Sequence, residues 1–264
     1  MTKRIFIAAA GLFFILLATG GAAEAASHAA AASGAASSGG LSIDFSGGGL
    51  FTDRMMQIIA LVTILSVAPS ILIMMTSFVR IVVVLSLLRT ALGTQSSPPN
   101  SVIVSLSLFL TLFVMTPTFN DAYTQGIKPL IANQITTEQA FDRATVPMKK
   151  FMLNHVRKAD LKLFIDMSGV KNPSTPDQIA LTTIAPAFML SELKRAFEIG
   201  FLIFVPFLII DMAVASILMS MGMMMLPPVI ISLPFKLIFF VLVDGWRLIA
   251  GSLVESYMHG PPPG

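Results

Sequence analysis

Residues Phe197 to Trp246 read FEIGFLIFVPFLIIDMAVASILMSMGMMMLPPVIISLPFKLIFFVLVDGW, and this stretch decides the fold. Two apolar segments flank a short break, Met221 to Pro228. Each flank is long enough to cross a bilayer, because about 20 apolar residues at about 1.5 Å rise cover a hydrocarbon core of roughly 30 Å. Each also carries what lipid disfavours: Asp211 in the first, Lys236 and Asp244 in the second. Charged groups at that depth must face protein or water. The stretch predicts a helical hairpin for a membrane setting, with buried polar groups and a methionine-rich tip.

Composition extends this to the whole chain. Of 264 residues, 55% are hydrophobic and 12% charged, where soluble domains carry about 25% charged residues. Mean hydropathy is +0.83. The expected class is all-α and membrane-associated, built from kinked hairpins with four main apolar segments. The absence of cysteine excludes disulfides and thiolate metal sites. A formal charge of +3 is too small to suggest a nucleic-acid partner. His28, His155 and His259 show no metal-ligand spacing, and no cofactor is expected.

Upstream, residues 1–26 have the form of a secretory leader: Lys3 and Arg4, a short apolar run from Ile5 to Ala18, then Ala23-Glu24-Ala25 as a small-x-small cleavage site. Removal of the leader would place the mature amino terminus outside the cytoplasm. Residues 27–49 are mostly Ala, Ser and Gly and read as a disordered linker. A first hairpin is expected over 50–119. Its leading arm, Met55 to Leu88, would be about 51 Å long as one helix, with a kink near Pro69. Arg80 sits inside it, either snorkelling to the interface or paired between helices. Gly93 suits the end of that helix and Asn100 the N-cap of the next. Arg80 and Arg89 favour the cytoplasmic side. Val102 to Phe119 forms the returning arm, with Pro117 marking its end.

Residues 120–186 form a polar, helical, extracytoplasmic region. Within it, Pro147 to Ile165 is predicted helical, with Phe151, Met152, Val156, Ala159 and Leu163 on one face. Lys149, Lys150, Arg157, Lys158 and Lys162 mostly lie elsewhere, as a solvated face or, less favoured, as a site for anionic headgroups. Thr175-Pro176-Asp177-Gln178 reads as a helix start with a capping box. That helix runs toward Thr183 and is interrupted at Pro186. A second runs from Ala187 to Met219, bent at Pro206, and Lys194 and Glu198 are spaced to pair. The second hairpin covers 187–256, and 257–264 is a tail.

No nucleophile elbow, P-loop, zinc motif or paired-glycine fingerprint is present, and the acids and bases form no triad, so an enzyme is not expected. Asp211 reads either as a structural tie or as an element of a transport pathway. A lone carboxylate without a relay partner favours the tie. The tip has two readings as well. Met221, Met223, Met224 and Met225 are either core filler or a deformable surface that closes around passing shapes.

TSFVRIVVVLSLLRTALGTQSSPPN (Thr76 to Asn100), Ser191 to Trp246 and the cleavable leader together resemble the FliP family, the export-gate subunits of flagellar protein secretion, with counterparts in virulence secretion. The resemblance covers nearly everything from Met55 to Ser256. It implies a pentamer joined by FliQ and FliR in the basal body of the bacterial inner membrane. Kinked hairpins would stack into a helical gate through which unfolded substrates pass. Neighbouring subunits would then surround Arg80, Asp211, Lys236 and Asp244, and the tip would match the family's methionine gasket, with Met221, Met223, Met224 and Met225 closing the channel. The competing expectation is a four-span small-molecule or ion transporter working through Asp211.

Overall fold

The computed structural model describes residues 55–56, 58–59, 62–63, 66, 70–71, 73–94, 96–169, 179–222 and 227–258. The expected leader, linker, Pro69 kink, helix start at Thr175, His28 and His259 lie outside them, as do Met223, Met224 and Met225. The chain divides into two compact units after Gln57, and the helices named below lie in the second, Ile58–Gly264. Among the described residues all regular structure is helical.

The described residues of 58–74 are helical, and the chain then turns at Met75–Ser77 before α1, Phe78–Ala91. One hydroxyl stabilises this break: Thr76 Oγ1 donates to the Ile73 carbonyl at 2.7 Å and accepts from Phe78 N at 3.3 Å. The arm from Met55 to Leu88, expected to kink near Pro69, thus breaks at Met75–Ser77. α1 is the central helix of the body. Ile81, Val84 and Leu88 are fully buried, with Leu85 and Ala91 nearly so. It ends where Gly93, at φ +80°, takes the left-handed conformation that glycine adopts without a side-chain clash.

α2, Asn100–Ala122, buries Ile103, Ser107, Thr111 and Met115. Its large side chains point the other way: Phe109 and Phe113 are about 60% exposed. A helix with small hydroxyl residues inward and aromatics outward suits lipid, where close backbone approach rather than apolar burial holds helices together. Ser107 and Thr111 donate to carbonyls one turn back at 2.7 Å, so neither hydroxyl is left unpaired. Pro117 does not end the helix, which continues to Ala122 and through a wider π turn, Tyr123–Ile127, into α3, Lys128–Ile131. A proline inside an apolar helix costs one backbone hydrogen bond and is tolerated where neighbours hold the flanking turns.

α4, Thr137–His155, starts at a reciprocal cap. Gln139 N donates to Thr136 Oγ1 at 3.3 Å and Thr136 N donates to the Gln139 side chain at 3.4 Å. The helix expected over 147–165 breaks at Val156 and Arg157, both extended, and α5 runs Lys158–Ser168. The break resets the helical phase. Phe151, Met152 and Val156 are buried as expected, whereas Ala159 and Leu163 are exposed.

α6, Leu181–Ser220, is 40 residues long, about 60 Å. Pro186 was expected to interrupt it and does not. Ile184, Ala187 and Phe188 around it are fully buried, and that packing holds the turn despite the lost hydrogen bond. α6 runs alongside α1, and Gly200 admits Leu87. A Cβ on Gly200 would meet Leu87 Cδ1 at 2.3 Å and Leu87 Cβ at 3.3 Å. α7, Pro228–Leu242, and α8, Gly245–Met258, meet at a 62° bend. Two helical stretches, Asn100–Ile131 and Leu181–Ser220, are long and apolar enough to cross a membrane, and the bent α7–α8 pair would make a third. Within the most apolar window of Leu181–Ser220 only 11% is buried by the chain itself, so lipid or other chains must cover the rest.

Candidate functional site

Two polar clusters interrupt this apolar body, and each ties three helices. The first is built on Arg80 of α1, whose side chain is 1% exposed. Its Nη2 pairs with Glu192 Oε1 of α6, also fully buried. Its Nη1 donates to Ser256 Oγ of α8 at 3.0 Å. The guanidinium lies 3.9 Å from the centroid of the Tyr257 ring, a cation–π geometry. The Tyr257 hydroxyl donates to Glu192 Oε2, so the two carboxylate oxygens are taken by two different helices. Beside it, His155 at the end of α4 has Nδ1 2.8 Å from the Phe151 carbonyl and Nε2 3.3 Å from the Tyr257 carbonyl. Its ring packs against Phe151 and Tyr257, with centroids 4.5 and 5.2 Å away.

The second cluster joins α6, α7 and the end of α1. Lys236 Nζ lies 2.6 Å from Asp211 Oδ2 and 3.3 Å from the Ala91 carbonyl. Ser232 Oγ donates to Asp211 Oδ1 at 2.5 Å. The Lys236 side chain is 5% exposed and that of Asp211 31%. Lys236 thus satisfies a carbonyl at the C-terminus of α1, where the helix dipole favours a cation. A smaller tie docks α5 onto α6: Ser191 Oγ donates to Asp160 at 2.7 Å and accepts from Arg157 N at 3.0 Å.

Four residues singled out by sequence as buried or inter-subunit therefore fall in three places. Arg80 anchors the first cluster, Asp211 and Lys236 pair in the second, and Asp244 stands apart. Asp244 sits at the α7–α8 bend with φ +51°, its side chain 66% exposed and 4.0 Å from Arg247. Of the tip, Met221 is 56% exposed and Gly222 turns the chain at φ +74°. Lys194 and Glu198 lie 3.8 Å apart on the surface. Sequence reasoning did not single out Glu192, Ser232, Ser256 or Tyr257. The signal for Glu192 is its place in a four-residue ladder, Ile184, Phe188, Glu192, Ala196, Gly200, all buried. Among the described residues no group of three His, Cys, Asp or Glu is placed to hold a metal ion.

The FliP family model matches residues 61–253, taking in Arg80, Glu192, Asp211 and Lys236. The chain is 61% identical over 220 residues to the flagellar biosynthetic protein FliP of Caulobacter vibrioides, covering 83% of each. It is 56% identical over 201 residues to that of Bacillus subtilis, covering 76% of this chain and 91% of the relative. With the Aquifex aeolicus FliP it shares 52% over 213 residues, 80% of this chain and 89% of the relative. A helical chain matched over most of its length, with the charged pairs Arg80–Glu192 and Asp211–Lys236 inside the match, belongs to the FliP family.

Proposed function

We propose that this chain is a subunit of the flagellar protein-export gate in the bacterial cell membrane, with its polar region on the periplasmic side of the basal body. Several copies, pentameric by the resemblance, would join FliQ and FliR around a channel for unfolded substrates. The tip methionines Met221, Met223, Met224 and Met225 would form the constriction, because unbranched thioether side chains yield to varied shapes and close again.

One observation carries the reading beyond family membership: the buried charges are paired inside the chain while its long apolar helices are not covered by it. Such a subunit is rigid within and adhesive without, as a gate component must be. The rival, a transporter working through Asp211, needs a carboxylate free to take up and release its cargo. Asp211 here is held by Lys236 and Ser232, which weighs against that role.

The test is alanine replacement of the four tip methionines in assembled gates, read as small-solute leakage and as secretion. Leakage that rises while assembly survives supports a gasket. Unchanged permeability in assembled variants would remove the tip from the barrier, and a chain that functions as a single copy would remove the gate.

A further inference from the structure

His155 is a buried titratable group that forms no part of either charged pair. It is 6% exposed and is the last residue of α4. Both of its ring nitrogens face backbone carbonyls: Nδ1 is 2.8 Å from the Phe151 oxygen and Nε2 is 3.3 Å from the Tyr257 oxygen. A carbonyl only accepts, a neutral imidazole has one N–H, and a charged one has two. The two acceptors are therefore both served only when the ring holds two protons. With one, the proton stays on Nδ1, because the Phe151 carbonyl belongs to the same helix and is the closer of the two. The lone pair of Nε2 then points at the Tyr257 oxygen, and a bond between helices becomes a repulsion.

The two carbonyls lie near the ends of two helices. Phe151 is about one turn from the end of α4, and Tyr257 is the last residue but one of α8. The last carbonyls of a helix have no partner within it and carry its negative pole. A charged ring bridges both helix ends, whereas a neutral one holds only its own. The charged groups around the ring come from several helices. Arg80 of α1 and Glu192 of α6 pair with each other, and both touch the Tyr257 side chain. Arg157 and Asp160, at the start of α5, also pair. Arg195 of α6 adds a positive charge beside Arg80, Glu192 and Tyr257. Glu255 of α8 is exposed, and by helical phase Lys149 and Lys150 lie on other faces of α4.

We propose that His155 is a proton-operated latch between α4 and α8. With two protons on the ring, the end of α8 is held to the polar region. When the ring gives one up, that contact opens, while the Tyr257 hydroxyl keeps its bond to Glu192 and the fold persists. Acid closes the latch and base opens it. Histidine ordinarily changes charge between about pH 5 and 8. With the polar region on the periplasmic side, as proposed above, the latch reads the pH outside the cell, but its operation does not depend on that placement.

Two measurements on the full-length protein in detergent test it. The chain has three histidines, so 15N-histidine labelling with His28→Gln and His259→Gln leaves one ring to observe. The expected result is a second ring proton gained on acidification across that pH range, with the fold intact. Hydrogen exchange of residues 255–258, corrected for the intrinsic pH dependence of exchange, reads the contact itself. Opening should rise about tenfold at the alkaline end, the loss of one charge-assisted bond, and should not change with pH in His155→Gln. A ring that keeps one proton throughout, opening that ignores pH, or a pH response that survives in His155→Gln overturns the proposal. The first two readouts need no change at residue 155, so they decide the matter even where His155→Gln fails to fold. None of these results bears on the export-gate reading, which stands or falls by secretion and leakage.

Discussion

Replacing Glu192 by Gln removes one charge without changing the shape of the site. In the folded chain Arg80 is 1% exposed and its ion-pair partner is Glu192. The variant leaves that guanidinium charged and dry without a counter-charge, and the single amide oxygen must serve either Arg80 or Tyr257. Removing one partner of a buried pair costs about 3–5 kcal/mol. The weaker acceptor left for the Tyr257 hydroxyl moves the cost toward the upper end. Whole domains are stable by only about 5–15 kcal/mol, so a large share of the margin goes. The internal control is Glu198→Gln, six residues on, whose pair with Lys194 is 3.8 Å long and about 55% exposed. An exposed pair of that kind contributes roughly 0–1 kcal/mol. Unfolding of the two variants in detergent, by titration with a denaturing detergent, measures the difference. The double replacement Arg80→Met/Glu192→Leu then recovers most of the loss, because an apolar pair needs no compensation. If Glu192→Gln costs no more than Glu198→Gln, or if the double variant is worse than either single one, the buried cluster does not hold the helices together.

Asp211→Asn strips Lys236 of its counter-charge while the Ala91 carbonyl remains, so the α6–α7 hairpin loosens by about 2–4 kcal/mol. Lys236→Met in the same chain restores it, and protease resistance of the hairpin reports both. Gly126→Val places a Cβ 2.7 Å from the Ala140 carbonyl oxygen and 2.7 Å from Ala144 Cβ. Backbone cannot move aside cheaply, so α4 separates from the π turn at about 1–3 kcal/mol, seen as a lower melting temperature. Thr136→Ala removes the cap of α4 and costs about 1 kcal/mol, with hydrogen exchange rising first in residues 137–140.

The helical class and its apolar arms were legible because hydropathy and span length constrain them directly, whereas which charged residues pair was not. Asp211 and Lys236 are 25 residues apart across one turn, a separation that folding the hairpin closes. Arg80 and Glu192 are 112 residues apart, and nothing local connects them. What sequence did offer was the four-residue ladder from Ile184 to Gly200, in which Glu192 is the only charge, and that ladder marks a buried face. The prolines misled, because Pro117, Pro147 and Pro186 all lie inside helices. A breaker rule learned from water-exposed helices loses force where packing fixes the turns on either side. The break at Met75–Ser77 has no proline or glycine to announce it and rests on the Thr76 hydroxyl.

The two clusters share a geometry that bears on how the gate moves. Arg80 meets Glu192 near one end of the α1–α6 contact, Leu87 meets Gly200 seven or eight residues on, and the end of α1 at Ala91 is tied through Lys236 to Asp211. α1 and α6 therefore run parallel in nearly constant register from Arg80 to Leu87, and the end of α1 is tied to α6 indirectly, through Lys236 of α7. Apolar contact alone permits sliding between helices in lipid, whereas charged ties do not. The pair should move as one piece during any opening. The replacement Leu87→Cys/Gly200→Cys tests this in a chain that has no other cysteine. The Cβ separation of 3.3 Å is just below the usual disulfide range of about 3.5–4.5 Å, and a small outward shift brings the pair into it. Oxidation should give near-complete intrachain cross-linking, seen as a mobility change reversed by reductant. Secretion through the cross-linked gate should match that of the reduced form. Failure to cross-link would refute the register. Cross-linking that stops secretion, with assembly intact, would show that α1 slides against α6 when substrates pass, and the charge clusters would then be catches that open instead of fixed pins.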